Sequence, residues 1–160
     1  MKTEAKPVQA GYQQSLNVPA PAEVLYAALT TSAGVRGWWT RDCEVANHVG
    51  GLIDLRFGPN RKQMRIEALE PGREVRWLCT AAHIDALNRK DEWVGTRLAF
   101  RLTPVDAQCT RLDFEHAGLM PELECYGLCT RGWRYFLESL RGFAVTGAGT
   151  PYEQQTECAH

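Results

Sequence analysis

Between Leu52 and His116 the chain passes through five short runs, 52–57, 62–69, 74–80, 94–103 and 110–116, in which apolar residues alternate with charged ones. A strand turns successive side chains to opposite faces, so this period of two predicts an antiparallel meander with two unlike surfaces. One face collects Met64 and Ile66, then Val75, Trp77 and Cys79, then Leu98, Phe100 and Leu102, and finally Leu112, Phe114 and His116. The other collects Arg65, Glu67, Arg76, Arg97, Arg101, Arg111, Asp113 and Glu115. Gly, Pro, Asn and Asp punctuate the runs, with Pro71-Gly72 as a turn and Pro104 to Gln108 as a hairpin loop. A sheet with one apolar face must have that face covered.

The cover is the segment from Glu122 to about Thr146. Tyr126, Cys129, Trp133, Phe136, Leu137, Leu140, Phe143 and Ala144 form one stripe at helical spacing, and Arg131, Arg134, Glu138 and Arg141 take the opposite side. This predicts an amphipathic helix of six or seven turns. Ahead of the meander, Tyr12 to Val18 alternates as a half-buried strand. Ala22 to Leu29 follows as a short helix with Pro21 at its first position, and Thr31-Ser32 caps a second brief helical turn leading into Trp38-Trp39. The expected fold class is α+β: a curved antiparallel sheet wrapped around a long C-terminal helix, with two short helices after the first strand. With 160 residues and 44% apolar content there is one core and one domain, over 11–146. Residues 1–10 are expected to be a flexible N-terminus. From 147 to 160 no periodicity is present, and a mobile tail is expected.

Eighteen Lys and Arg against nineteen Asp and Glu leave a formal charge of -1, without the basic excess that neutralising phosphates demands, so nucleic acid is excluded as a partner. No stretch approaches the ~20 apolar residues of a membrane span and the N-terminus lacks an apolar leader, which predicts a cytoplasmic protein. The six cysteines, Cys43, Cys79, Cys109, Cys125, Cys129 and Cys158, are scattered without a short-loop framework and are expected as reduced thiols. Cys125 and Cys129 share a helix face at i, i+4, but no neighbouring ligands complete a metal site, and small buried side chains are the expectation. No cofactor fingerprint, phosphate-cradling loop, Gly-x-Ser-x-Gly or His-Glu-x-x-His is present.

Several motifs, in order along residues 12 to 146, resemble a known family. They are Val18-Pro19-Ala20-Pro21-Ala22-Glu23-Val24-Leu25-Tyr26-Ala27-Ala28-Leu29, Trp38-Trp39, Val49-Gly50-Gly51, Gly95-Thr96-Arg97-Leu98, the run Cys109 to Leu119, and Gly132-Trp133 followed by Leu137 and Leu140. Together they resemble the SRPBCC, or START-like, superfamily, and within it proteins similar to the activator of the heat-shock-protein-90 ATPase. The resemblance implies a helix-grip fold, with about seven strands curled around the final helix and an apolar pocket between them. Its members include lipid carriers, hormone receptors, polyketide cyclases, oxygenase domains and co-chaperones, so it leaves function open.

Wide aromatic side chains lining a concavity offer an apolar ligand much contact area, and the same residues also serve as plain core. The candidate ligand-binding set is Trp39, Phe57, Met64, Trp77, Trp93, Phe100, Phe114, His116, Trp133 and Leu137. His116 is the one candidate acid or base; its alternative is a hydrogen bond to a loop carbonyl or to the Trp133 indole. Arg56 or Arg65 is in reach of a ligand carboxylate if the sheet curls, and otherwise pairs across an exposed surface. Gly127 and Gly132 each cost the helix about 0.5–1 kcal/mol relative to Ala, and either let it approach the sheet or leave room for a ligand. The expected function is sequestration of a small hydrophobic molecule. The alternatives are a cyclase, dehydratase or hydrolase using the same cavity, or a chaperone-linked interaction protein. An exposed apolar patch near Tyr126 or Leu128 would favour either partner binding or self-association as a homodimer.

Overall fold

Strand β1 (Gly11–Val18) opens the computed structural model, which describes residues 11–153. Helices α1 (Ala22–Thr30) and α2 (Ser32–Trp38) follow, then β2 (Asp42–Val45), β3 (Leu52–Phe57), β4 (Asn60–Glu70), β5 (Glu74–His83), β6 (Arg97–Asp106) and β7 (Cys109–Ala117), and last α3 (Tyr126–Thr146). All neighbours pair antiparallel in the order β1-β7-β6-β5-β4-β3-β2. The first strand thus closes on the last while β2 to β7 run as a meander. The sheet curls around α3 in an α+β helix-grip fold, as expected. None of the described helices is long and apolar enough to cross a membrane.

The alternation sorts the faces as physical chemistry requires. Met64, Ile66, Trp77, Phe100, Leu112 and Phe114 are buried in the core, with Phe114 against Trp133 of α3 at 4.3 Å between ring centroids. The charged face carries exposed pairs such as Arg97 with Glu67 at 3.0 Å, and Arg56 with Asp42 at 2.8 Å. Such pairs add little stability individually. The Thr31 hydroxyl accepts a hydrogen bond from Gly34 N at 2.9 Å and caps α2. Pro21 caps α1 from outside, one place earlier than expected, with φ -63° and ψ 152°.

Several boundaries differ from the sequence reading. Strand β2 was not recognisable because its four residues include two carboxylates and only Cys43 is buried. Val94 to Thr96 are not strand but a turn pinned to β5: Gly95 N donates to Cys79 O and Cys79 N donates to Thr96 O, both at 2.9 Å. Strand β6 also runs through Pro104 to Asp106, beyond the expected hairpin loop, with a register shift there.

Helix α3 begins at Tyr126 rather than Glu122, and the two residues just ahead of it are held by a carboxylate from elsewhere. Glu92, in the β5–β6 loop, accepts from Glu124 N at 3.0 Å and Cys125 N at 2.9 Å. In return the Glu124 carboxylate accepts from Asn88 N at 3.0 Å and Arg89 N at 3.3 Å. Loop and helix start are therefore clasped by two reciprocal carboxylate caps.

After α3 the segment 148–153, the start of the expected tail, packs back onto the domain; the rest of that tail, and the expected flexible N-terminus, lie outside the described residues. Ser139, buried on α3, donates to Trp38 O at 2.7 Å and accepts from Thr150 N at 2.6 Å. Tyr152 N donates to Trp39 O at 2.8 Å, and Arg41 N donates to Tyr152 O at 3.1 Å. Gly149 makes this possible, for a Cβ there would lie 2.5 Å from Gly37 O. The chain end forms a strap, its backbone satisfied by partners that no periodicity reveals.

Candidate functional site: an aromatic cleft beside the helix

A cleft of about 220 Å³ opens between the sheet and α3. Trp39 forms its floor, and the β3–β4 hairpin contributes Phe57, Asn60 and Lys62. Ile84 and Trp93 come from the clasped loop, Leu128, Cys129, Gly132, Trp133 and Phe136 from α3, and Tyr152 from the strap. Trp39 is the hub of the wall: it stacks on Trp38 with centroids 5.2 Å apart and on Trp77 at 6.0 Å, and meets Trp133 at 5.3 Å. Such pairs each add about 0.5–1.5 kcal/mol beyond burial, so the wall is rigid.

One cation enters this apolar wall. Lys62 stands on the inward face of β4, opposite Leu55 on β3 and Ala82 on β5. Its Nζ lies 4.6 Å from the Phe57 ring centroid and 4.4 Å from that of Trp93. No carboxylate among the described residues forms a salt bridge with it. Burial pushes the Lys62 ammonium below the usual lysine pKa, opposed by the thiols of Cys129, Cys79 and Cys125. Two aromatic faces attract the charge but supply no lone pair to its N–H groups.

His116 lies outside the cleft, fully buried. The Trp133 indole donates to its Nδ1 at 3.0 Å, and its Nε2 is 2.9 Å from Thr96 Oγ1. Because an indole N–H only donates, Nδ1 must accept and the proton sits on Nε2. Thr96 passes its own proton to Trp93 O at 2.6 Å. Burial, with the Lys62 charge, depresses the imidazole pKa from 6.5 to about 3. Both nitrogens are committed and the ring stays neutral, which is the alternative arrangement, a hydrogen bond with the Trp133 indole, rather than that of a free acid or base.

Cys129 lines the cleft with its sulfur accepting from Trp93 Nε1 at 3.2 Å. A hydrogen bond from the Cys125 thiol lowers its pKa, with further help from Trp93 and Lys62 against the opposing effect of burial. Cys125 is correspondingly raised, because its proton is held by Cys129. Cys43, Cys79, Cys109, Cys125 and Cys129 are free thiols. Among the described residues no cluster of three or more His, Cys, Asp or Glu is placed to hold a metal ion.

Of the ten residues singled out in the sequence, Trp39, Phe57, Trp93 and Trp133 line the cleft. Met64, Trp77, Phe100, Phe114 and Leu137 are core behind it. Arg56 is engaged by Asp42 on the outer face and Arg65 is exposed, so neither reaches the cavity. Gly132 is resolved in favour of room: it lines the cleft, and a Cβ there would meet nothing within 4 Å. Gly127 is exposed and its Cβ would meet only Arg131. Lys62 was missed although its parity with Met64 and Ile66 placed it inside. Leu128 is 46% exposed at the rim, whereas Tyr126 is partly buried.

The family model described as Activator of Hsp90 ATPase homolog 1-like protein matches residues 19–144. Among solved structures, the chain is similar to the Aha1 dimer from Colwellia psychrerythraea, at 30% identity over 88% of this chain and 99% of that one, with a TM-score of 0.74. It shares its fold with a protein from Mesorhizobium loti, at 22% identity over 81% of this chain and 94% of that one, TM-score 0.65. An HSP90 activator from Plasmodium falciparum has the same fold at 18% identity, over 86% and 96% of the two chains, TM-score 0.66. No curated protein matches the chain by sequence.

Proposed function

The chain belongs to the Activator of Hsp90 ATPase homolog 1-like family, and from that premise we propose that it binds a small, largely apolar molecule in the cleft between sheet and helix. The observation that carries this reading is the cleft wall itself. Half of its twelve lining residues are aromatic, and α3 keeps Gly132 there, where a Cβ would meet no protein atom within 4 Å. At about 220 Å³ the cavity is smaller than the roughly 300–1,000 Å³ of drug-sized sites, which favours a ligand of one or two rings. Each Å² of apolar surface removed from water contributes roughly 25 cal/mol before the costs of association, enough for micromolar binding of such a molecule.

Three of the cleft's side chains are indoles, so occupancy is readable in tryptophan fluorescence. Titration with 2-naphthylmethanol should give a saturable change that Gly132→Leu abolishes while leaving the melting temperature near the parent's. A change that is linear in ligand, or that survives Gly132→Leu, would remove the cleft as the site.

The dimeric state of the similar Colwellia psychrerythraea protein favours a homodimer as part of the same reading. Sedimentation equilibrium tests it directly, a mass of one chain at micromolar concentration being the contrary result.

A further inference from the structure

Lys62 is an ammonium built into an aromatic wall, with no carboxylate paired to it among the described residues. It is placed inward by the same strand alternation that buries Met64 and Ile66, so its direction is imposed by the sheet. The ionisable groups around it are the thiols of Cys79, Cys125 and Cys129, and the neutral ring of His116. None of the salt bridges among the described residues includes it.

We propose, building on the reading of the cleft as a ligand site, that the ligand is a small aromatic or branched apolar acid whose carboxylate docks on the Lys62 ammonium. A half-buried cation is stabilised best by an opposite charge with hydrogen-bonding lone pairs, which the two aromatic faces against Lys62 do not supply. A carboxylate supplies both the charge and the lone pairs. Asn60 lines the same cleft; its Oδ1 accepts from Asp85 N at 2.8 Å, which leaves the Nδ2 amide to donate to a second carboxylate oxygen. One cation and no arginine in the lining set the charge at a single negative unit, so a phosphate dianion is disfavoured against a monocarboxylate. The apolar walls then hold the body of the acid, and its charge decides between otherwise equal shapes.

The test compares 2-naphthoate with 2-naphthylmethanol, nearly the same in shape and different by one charge, at pH 7 by isothermal titration calorimetry. The parent protein should bind the acid at least tenfold more tightly than the alcohol. Lys62→Met should abolish that preference while retaining alcohol binding, and Lys62→Arg should restore part of it. Thermal melting of each variant checks the fold, and Lys62→Met, which removes a desolvated charge, should melt no lower than the parent. Equal affinities in the parent, or a preference for the acid that persists in Lys62→Met, overturn the carboxylate assignment while the apolar cleft stands. Failure of both compounds to saturate the parent overturns the cleft reading and the carboxylate assignment together.

Discussion

The indole N–H of Trp133 donates to Nδ1 of His116 across 3.0 Å, and this contact fixes the imidazole as a neutral acceptor in the middle of the fold. Its proton lies on Nε2, toward Thr96. One hydrogen-bond chain therefore joins α3, β7 and the turn that carries Trp93 into the cleft.

Neutrality of His116 makes stability depend on pH. Its folded pKa of about 3 lies below the ordinary 6.5, so its contribution is complete above pH 6.5 and is lost as pH falls toward 3. Between pH 7 and pH 5 the loss is about 2 kcal/mol, at about 1.4 kcal/mol per pH unit below 6.5. His116→Gln can accept from Trp133 and donate to Thr96 without titrating. Urea unfolding of both proteins at several pH values should show the parent's excess slope vanish in the variant; parallel curves would contradict the assignment.

Gly132→Ala should separate stability from binding. Alanine in a helix interior is favoured over glycine by about 1 kcal/mol, and the added methyl meets no protein atom. Melting temperature should rise while affinity for 2-naphthylmethanol falls several-fold. Gly127→Ala, outside the cleft, should leave affinity unchanged. If both variants bind alike, the room at Gly132 has no bearing on the ligand.

The strap hangs on Ser139. Removing its hydroxyl leaves Trp38 O and Thr150 N without that partner, at a cost of about 1–3 kcal/mol. Hydrogen exchange of Ser139→Ala should accelerate at Thr150 and Tyr152 with little change in β4 and β5. Uniform acceleration would mean that the serine supports the whole core rather than the strap.

Cys129 should be the first cleft-side thiol to react. The Cys125 thiol and the Trp93 indole both donate to its sulfur and the Lys62 charge is near, which favours the thiolate. Iodoacetamide at pH 7.5, followed by peptide mass spectrometry, should label Cys129, which lines the cleft, ahead of Cys43, Cys79 and Cys125, which do not, and more slowly in Lys62→Met. Faster labelling of Cys125 would reverse the assigned direction of the shared proton.

The faces of β4 to β7 were legible because alternation is local: Met64, Trp77, Phe100 and Phe114 each declare their side by their neighbours' charge. Strand β2 was illegible for the opposite reason, since Asp42 and Glu44 around one cysteine give no apolar run. His116 could be assigned to the inner face, but its role was decided by Thr96 and Trp133, which alternation on β7 does not include. Lys62 carried a readable signal, a charge at inner parity, obscured by the habit of lysines to lie outside. Tyr152 carried none, because it is held by backbone partners more than a hundred residues away.

The clasp between Glu92 and Glu124 has a kinetic consequence. Lifting the β5–β6 loop off the cleft means uncapping α3, whereas lifting Tyr152 breaks two backbone hydrogen bonds and the hold of Ser139. For the proposed ligand the strap is the expected door, so its residence time should follow the opening of residues 148–153. Weakening Ser139 shortens that time from both directions, speeding arrival and departure together while the equilibrium affinity moves far less.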